Sequence, residues 1–551
     1  MLTNNQPTIP VKLSAFLFSL LGLVAFAGLF VPLMDNDAAH HANIALNMYL
    51  TGDYVNLVDK GTDYLDKPHL HFWLAAFSYK IFGVTGFAYK LPSFLFSILG
   101  VYSVFRLGCS LYNAATGRLA SLIMASVVSF MLSLNDVRMD AMLTACIAFA
   151  AWQLTDLLLS EKWVNVLGAA AGLALGFSTK GAIGALLPGL FILLLAIQRR
   201  QWLSLIRLQW WGLYLLFIVF ISPVLYCYYL QFNLHPEKMI RGKDHINGIG
   251  FILLHQNTER FSGGMGDTLS KDYLFFIHTF LWVFAPWSFV SLVALYKNIR
   301  RFKRPGIESA AVISFIAFGL LVSFSGFKLP HYLNSCFPFA ALFTADYILR
   351  NYGSTVFDKQ LFRLQLVLSL LILLAMAVLN FWSFQVNSYL VLSGVIGLLA
   401  VFIHFIRSGI MSQLSKTIGL SVAAMALTFF LLNTNFYPQL LRYQAGKELA
   451  DAIKGKIDPN AVYFWPESNS ASFDFYTKTI RKEYSKGKEK EDKIWIAYYP
   501  KDTLAIMADQ LRLENTIRVK DYEITKLDLS FLNPGKREQV CSSLLLSEVL
   551  P

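Results

Sequence analysis

Charge is what this 551-residue chain has least of: Asp, Glu, Lys and Arg together make up only 15% of it. An average soluble domain carries about 25%, so the polypeptide is not built to face water on all sides. Cysteine is sparse too. Cys109, Cys146, Cys227, Cys336 and Cys541 are scattered, four of them in or beside apolar segments. A thiol there behaves as a small hydrophobe, and the spacing gives neither a metal pattern nor a disulfide framework. Nucleic acid is excluded by how the formal net charge of +12 is distributed. Many of the cations sit in short loops between apolar runs, the pattern that orients helices in a membrane.

Apolar length is what remains. Hydrophobic residues reach 56% and aromatics 15%, with 46 Phe, as expected where rings fill lipid-facing surfaces and interfacial belts. Runs long enough, or nearly so, to cross about 30 Å of hydrocarbon fall at 11–33, 90–111, 115–134, 139–159, 163–179, 182–198, 209–230, 273–296, 309–326, 331–350, 362–384, 388–407 and 416–434. That makes about thirteen spans. The first continues past Ala25-Phe26-Ala27 to Leu33 and is read as uncleaved. The stretch 69–83 is short and mixed, and is read as a juxtamembrane helix.

Four basic loops set the orientation: Arg199, Arg200 and Arg207; Lys297 to Arg304; Arg350, Lys359 and Arg363; Arg407 and Lys416. With the N-terminus inside, thirteen spans put all four in the cytoplasm. The same count leaves the C-terminal tail outside. In that tail Ala461–Trp465, Lys493–Tyr498 and Thr516–Val519 read as strands, 444–455 and 502–513 as helices, and 480–492 as a solvated charged loop. The expected architecture is an all-α polytopic membrane domain over 1–434, with external loops 34–89 and 231–272. A soluble extracytoplasmic α/β domain follows over 435–551.

The charges that remain gather at the outer ends of spans. Met34-Asp35-Asn36-Asp37 follows the first span. An acidic D-x-D there can bind a divalent cation or supply a general base, and Asp37 before Ala38-Ala39 equally suits a helix N-cap. Asp66-Lys67-Pro68 sets an acid beside a base just before a proline that can start a helix. Alone it would be a surface ion pair of little value. Asp140 opens a span, Lys180 closes one, and Glu259-Arg260 and Lys328-Leu329-Pro330-His331-Tyr332 lie in later outer segments. Near the interface one such charge is inexpensive. Four cations (Lys67, Lys180, Arg260, Lys328) and three carboxylates (Asp37, Asp66, Asp140) on one face suggest a phosphate-binding site.

In order, D-x-D, G-D-Y, D-K-P-x-L-x-x-W, M-D, T-K-G, E-R-F and K-L-P-x-Y resemble the GT-C glycosyltransferases that use lipid-linked sugars. The similarity covers roughly residues 10–340 and is greatest to the branch holding the aminoarabinose transferase of lipid A and the bacterial protein O-mannosyltransferase relatives. The resemblance implies a GT-C fold of about thirteen spans. It also implies an inverting glycosyltransferase that takes a sugar from a polyprenyl phosphate to an envelope glycolipid, glycan or protein on the periplasmic face of the bacterial inner membrane. Carried over by motif, Asp37, Asp66 and Asp140 are the catalytic acids. Lys67, Arg260, Lys328 and Tyr332 contact the donor phosphate, with Asp35, Lys180, Glu259 and His331 as secondary candidates. Asp35 and Asp37 form a candidate metal pair, which leaves Mg²⁺ or Mn²⁺ open as a cofactor. Two departures stand out: Ala38 replaces the family's usual second acid, and Asp66 shortens its Glu-Lys-Pro by one methylene. His40, His41, His69 and His71 flank both motifs and read as polar lining before metal ligands.

Two other classes of function compete. A lipid-linked-sugar flippase would perform no bond chemistry, but transporters place their ionisable groups near the midplane of broken helices. A sensor would act through the C-terminal domain.

Overall fold

The computed structural model describes residues 9–137, 139–256, 258–259, 272–301, 309–466, 468, 470–480, 482–485 and 494–550. Ten helices build the first half: α1 (Val11–Ala27), α2 (Asp37–Thr51), α3 (Leu70–Phe82), α4 (Gly86–Leu111), α5 (Ala114–Ala125), α6 (Val128–Asn135), α7 (Asp140–Ser160), α8 (Trp163–Lys180), α9 (Ile183–Gln198) and α10 (Leu208–Tyr228). Their ends follow local chemistry. The Thr85 and Asn113 side chains accept the N–H of Ala88 and Thr116 and so start α4 and α5, each satisfying a donor that a helix N-terminus leaves open. Gly52, at φ 74°, terminates α2 in the left-handed conformation that glycine tolerates.

Among the described residues, seven helices are long and apolar enough to cross a membrane, and the α5–α6 pair, bent by 53°, would make an eighth. The chain is thus a multi-pass membrane protein. Besides 115–134, which is the bent α5–α6 pair, two apolar runs of the sequence are not single helices. The run 273–296 breaks into Phe275–Val283 and Ser288–Arg301 around Pro286, which lacks an N–H to carry a helix onward. The run 331–350 begins as a 3₁₀ segment, Pro330–Cys336, before the helix Phe337–Asn351. The central helices meet through small residues: a Cβ on Gly100 of α4 would lie 2.8 Å from Ala145 of α7. Close backbone approach replaces the missing hydrophobic drive between helices in lipid.

The segment between α1 and α4 has its own core. Ala38, Ala42, Ile44 and Leu46 of α2 pack on Phe72, Ala75 and Tyr79 of α3, and on Tyr89, Val137 and Met139. A two-stranded ribbon, β1 (Val58–Asp59) and β2 (Thr62–Asp63), closes it. The buried Gln231 at the end of α10 exchanges hydrogen bonds with both backbone groups of Leu57 and donates to Asp63 at 2.8 Å.

Beyond residue 443 the chain forms a five-stranded sheet in the order β4-β3-β5-β7-β6, from β3 (Val462–Phe464), β4 (Lys482–Glu483), β5 (Trp495–Tyr498), β6 (Arg512–Asp521) and β7 (Ser542–Leu550). β3 runs parallel to β4 and β5, while β7 is antiparallel to β5 and β6. The structure corrects the reading of 502–513 as one helix: the helix is Thr503–Ala508, and Arg512 and Leu513 already belong to β6. A joint ties this part to the helices. Arg537, buried, lies with its guanidinium 3.8 Å from the Phe384 ring centre and donates to the Ser383 carbonyl at 2.8 Å.

Candidate active site

Two lysine contacts join the C-terminal end of α1 to the start of α4 and the start of α7 to the end of α8, and the Tyr89 hydroxyl of α4, donating to the Val137 carbonyl at 3.0 Å, brings the two pairs together at one end of the bundle. Lys90, fully buried in α4, donates to the carbonyls of Gly28 and Val31 at 3.3 and 2.8 Å. Lys180, the last residue of α8, lies 2.6 Å from Asp140, the first residue of α7. Both partners of this pair are nearly excluded from water, at 7% and 5% side-chain exposure. The second Asp140 oxygen is 3.5 Å from His331 Nε2, and the Lys180 ammonium sits 5.0 Å from the centre of the Tyr332 ring. Each charge also lies at the helix end that favours its sign. A cavity of ≈ 80 Å³ opens beside them, lined by Asp140, Thr144, Lys180, Ser325, Tyr332 and Ser335.

Lys67 and Asp66 form a second ion pair, with 11% and 21% of their side chains exposed. The turn that carries them is held from the segment after α10. Gln256, buried, donates to the Asp66 carbonyl, while Arg241 donates to the Leu65 carbonyl at 3.3 Å and pairs with Glu259 at 3.4 Å. Gln256 also links the two ion pairs. Gly181, directly after Lys180, packs so closely on the Gln256 side chain that a Cβ there would collide with it, and its φ is +73°. Gly181→Ala combines that collision with left-handed strain, and is expected to cost about 1–3 kcal/mol of stability, read from denaturant or thermal melts in detergent.

Asp37 is exposed in the first turn of α2. The N-cap is Asn36, whose side chain accepts the Ala38 N–H at 2.9 Å, so capping is not what Asp37 does. One turn further along the same helix face, His41 lies within the electrostatic reach of Lys67 and Asp66. Burial, then His40, His71 and Lys67, hold its imidazole well below the ordinary histidine value. Asp35 points elsewhere: its carboxylate accepts from Ser470 and Ser472 of the C-terminal segment. No group of three or more His, Cys, Asp or Glu among the described residues is placed to hold a metal ion, and no step is assigned to one.

Lys328 is buried against Tyr273, 5.5 Å from its ring centre. Arg260 lies outside the described residues. The histidines have polar partners of their own: His40 with Asp59 at 3.4 Å, His69 with the Val55 carbonyl at 2.8 Å, His71 with the Tyr89 hydroxyl at 3.0 Å. Burial lowers His69 and His71 from 6.5 to about 4. A histidine whose folded value is depressed adds stability above its unfolded value and loses it as pH falls toward the folded one. The melting temperature is therefore expected to drop as pH falls from about 6.5 toward about 4, and His71→Phe is expected to flatten that drop. Gln231, Arg241 and Gln256 were not candidates from the sequence, because a neutral amide or one more loop cation carries no signal until its partner is known.

A family model described as dolichyl-phosphate-mannose-protein mannosyltransferase matches residues 66–227. Undecaprenyl phosphate-alpha-4-amino-4-deoxy-L-arabinose arabinosyl transferase of Pseudomonas aeruginosa is 28% identical over 380 residues, 65% of each protein. A namesake from Pseudomonas fluorescens is 27% identical over 361 residues, 64% of this chain and 60% of that protein. The chain thus spans less than two thirds of the length of these relatives. The crystal structure of ArnT from Cupriavidus metallidurans bound to undecaprenyl phosphate superposes with a TM-score of 0.74 over 98% of both chains, at 16% identity. Its apo form gives 0.71 over 96% of this chain and 97% of that one, at 17%. The fold is therefore shared along nearly the whole chain and the sequence along about two thirds of it. Motif order, partial sequence match and fold agree in one likeness: the chain is similar to the GT-C polyprenyl-phosphate-sugar glycosyltransferases, and among them to the aminoarabinose transferases.

Proposed function

We propose that the chain transfers a sugar from a polyprenyl-phosphate carrier to an envelope acceptor, a lipid A-like glycolipid, a glycan or a protein, with inversion. The observation that carries this is the pairing of Lys67–Asp66 and Asp140–Lys180 at one end of the bundle, with Gln256 between them. A lipid phosphate is already a leaving group of low basicity. Its departure calls for cations on the developing charge and a carboxylate to orient or deprotonate the acceptor. In this reading Asp37 is the base. Lys67 and Arg260 stabilise the departing phosphate, and Asp66 positions Lys67. Asp140 holds Lys180 and His331 at the cavity, while Lys328 and Tyr332 line the path of the carrier phosphate.

The same proposal includes thirteen spans in the inner membrane, a cytoplasmic N-terminus, and a division near residue 434 that leaves the site and the C-terminal α/β domain in the periplasm. The flippase reading is disfavoured because Asp140–Lys180 lies at helix ends and Asp66–Lys67 in the turn before α3, not at mid-helix breaks. Purified protein in detergent, given an undecaprenyl-phosphate-linked aminosugar and lipid A, should yield glycosylated lipid A by mass spectrometry. A panel of glycan and peptide acceptors extends the test. Sugar movement across sealed vesicles with no transfer to any of them would overturn the proposal.

A further inference from the structure

We infer that Asp35 is a positioning residue, and that the C-terminal segment acts on transfer by holding the turn that presents Asp37. This rests on the reading of Asp37 as the acceptor-facing base. Six hydrogen bonds grip the approach to α2 from residues more than 400 positions away. Asp35 Oδ1 accepts the Ser472 N–H at 2.9 Å, and Oδ2 accepts the hydroxyls of Ser472 at 2.9 Å and of Ser470. The Asp35 N–H donates to Gln444 Oε1 at 2.8 Å, and Gln444 Nε2 donates to the Leu33 carbonyl at 2.6 Å. The Leu33 N–H donates to the Tyr476 hydroxyl at 2.9 Å. A seventh bond fixes the first turns of the helix itself, from Asn43 Nδ2 to the Ala471 carbonyl at 2.7 Å.

The grip is built in on the C-terminal side as well. Gly446 lies so close under Ser470 and Ser472 that a side chain there would displace both hydroxyls. Phe475, from the same helix (Ala471–Thr477), joins the apolar core of α2 and α3 with Ala38, Ala42 and Tyr79. Residues 33, 35 and 43 are thus tied on both sides of Asp37, while the Asp37 carboxylate stays exposed. Charge-assisted bonds from Asp35 are the strong ones in this set. A base displaced by about 1 Å can lose on the order of 10²-fold in rate.

The test compares Asp35→Ala with the double variant Ser470→Ala/Ser472→Ala, whose serines touch Asp35 and make no contact with a substrate in this reading. Both are expected to lower kcat on the order of 10²-fold with KM for the polyprenyl-phosphate sugar unchanged. Ser472→Thr, which keeps the hydroxyl and the N–H, should restore kcat. Hydrogen exchange of residues 33–43 should rise in both variants while the α4–α7 core stays protected. Loss of activity in Asp35→Ala without loss in the serine double variant would overturn the inference and return Asp35 to direct chemistry. Unchanged exchange over 33–43 would also overturn it. A wild-type protein that transfers no sugar sinks the proposed function instead, and leaves the exchange experiment to decide on the clamp.

Discussion

Asp37→Asn is expected to lower kcat for sugar transfer by about 10²–10⁴-fold, the range for losing a general base, with little change in KM for the carrier. The substitution leaves the helix start and its apolar packing in place. Asn36, not Asp37, caps α2, and the apolar side of the helix, with Ala38, Ala42 and Leu46, is what packs on α3. Asn gives up the attraction of a carboxylate to the helix N-terminus, about 0.3–1 kcal/mol. A base works in the transition state, so its loss appears in kcat and kcat/KM together. Lys67→Ala should behave differently, raising KM as well, because its ammonium meets the carrier phosphate in the ground state too. Michaelis kinetics on both variants, with melting curves to confirm folding, separate the two roles. Transfer at the wild-type rate by a folded Asp37→Asn protein would remove Asp37 from the mechanism.

Much of this was legible in the sequence, and the rest was hidden for definite reasons. Hydropathy located the long helices because a 3.6-residue period is unnecessary where lipid or protein covers every face. It failed at Pro286 and at Pro330–Cys336 because a window average does not register one lost hydrogen bond. Adjacent partners such as Asp66 and Lys67 could be read; distant ones could not. Asp140 and Lys180 are 40 positions apart, and only the antiparallel packing of α7 and α8 makes them neighbours. Lys180 and His331 therefore looked like peripheral groups until the structure put both on one carboxylate. The D-x-D hid its partners in the same way. Its first acid is matched to serines more than 400 residues away, and no local pattern carries that information. β7 escaped notice because it is covered on both faces over most of its length, and its sequence, SSLLLSEVL, has no alternation to mark it.

Lys180→Met, taken alone, is expected to cost about 3–5 kcal/mol, the penalty for leaving a buried carboxylate without its cation. Asp140 is nearly sealed from water, and His331, at 3.5 Å, is a weaker partner than an ammonium at 2.6 Å. The single variant should therefore show a large drop in melting temperature or accumulate poorly in the membrane, and its inactivity would say little about chemistry. The double variant Asp140→Leu/Lys180→Met separates the two roles. Replacing a buried pair by apolar side chains of similar volume is often neutral or stabilising, so the coupling between the two sites should return the double variant close to wild-type stability. Transfer should not return with it. The cavity beside Tyr332 and Ser325 would then have lost the polar wall that Asp140 and Lys180 supply, and His331 its acidic partner. A stable double variant that still transfers sugar would make the pair a packing device and leave Lys67, with Asp66 beside it, and Arg260 as the cations that carry the phosphate chemistry.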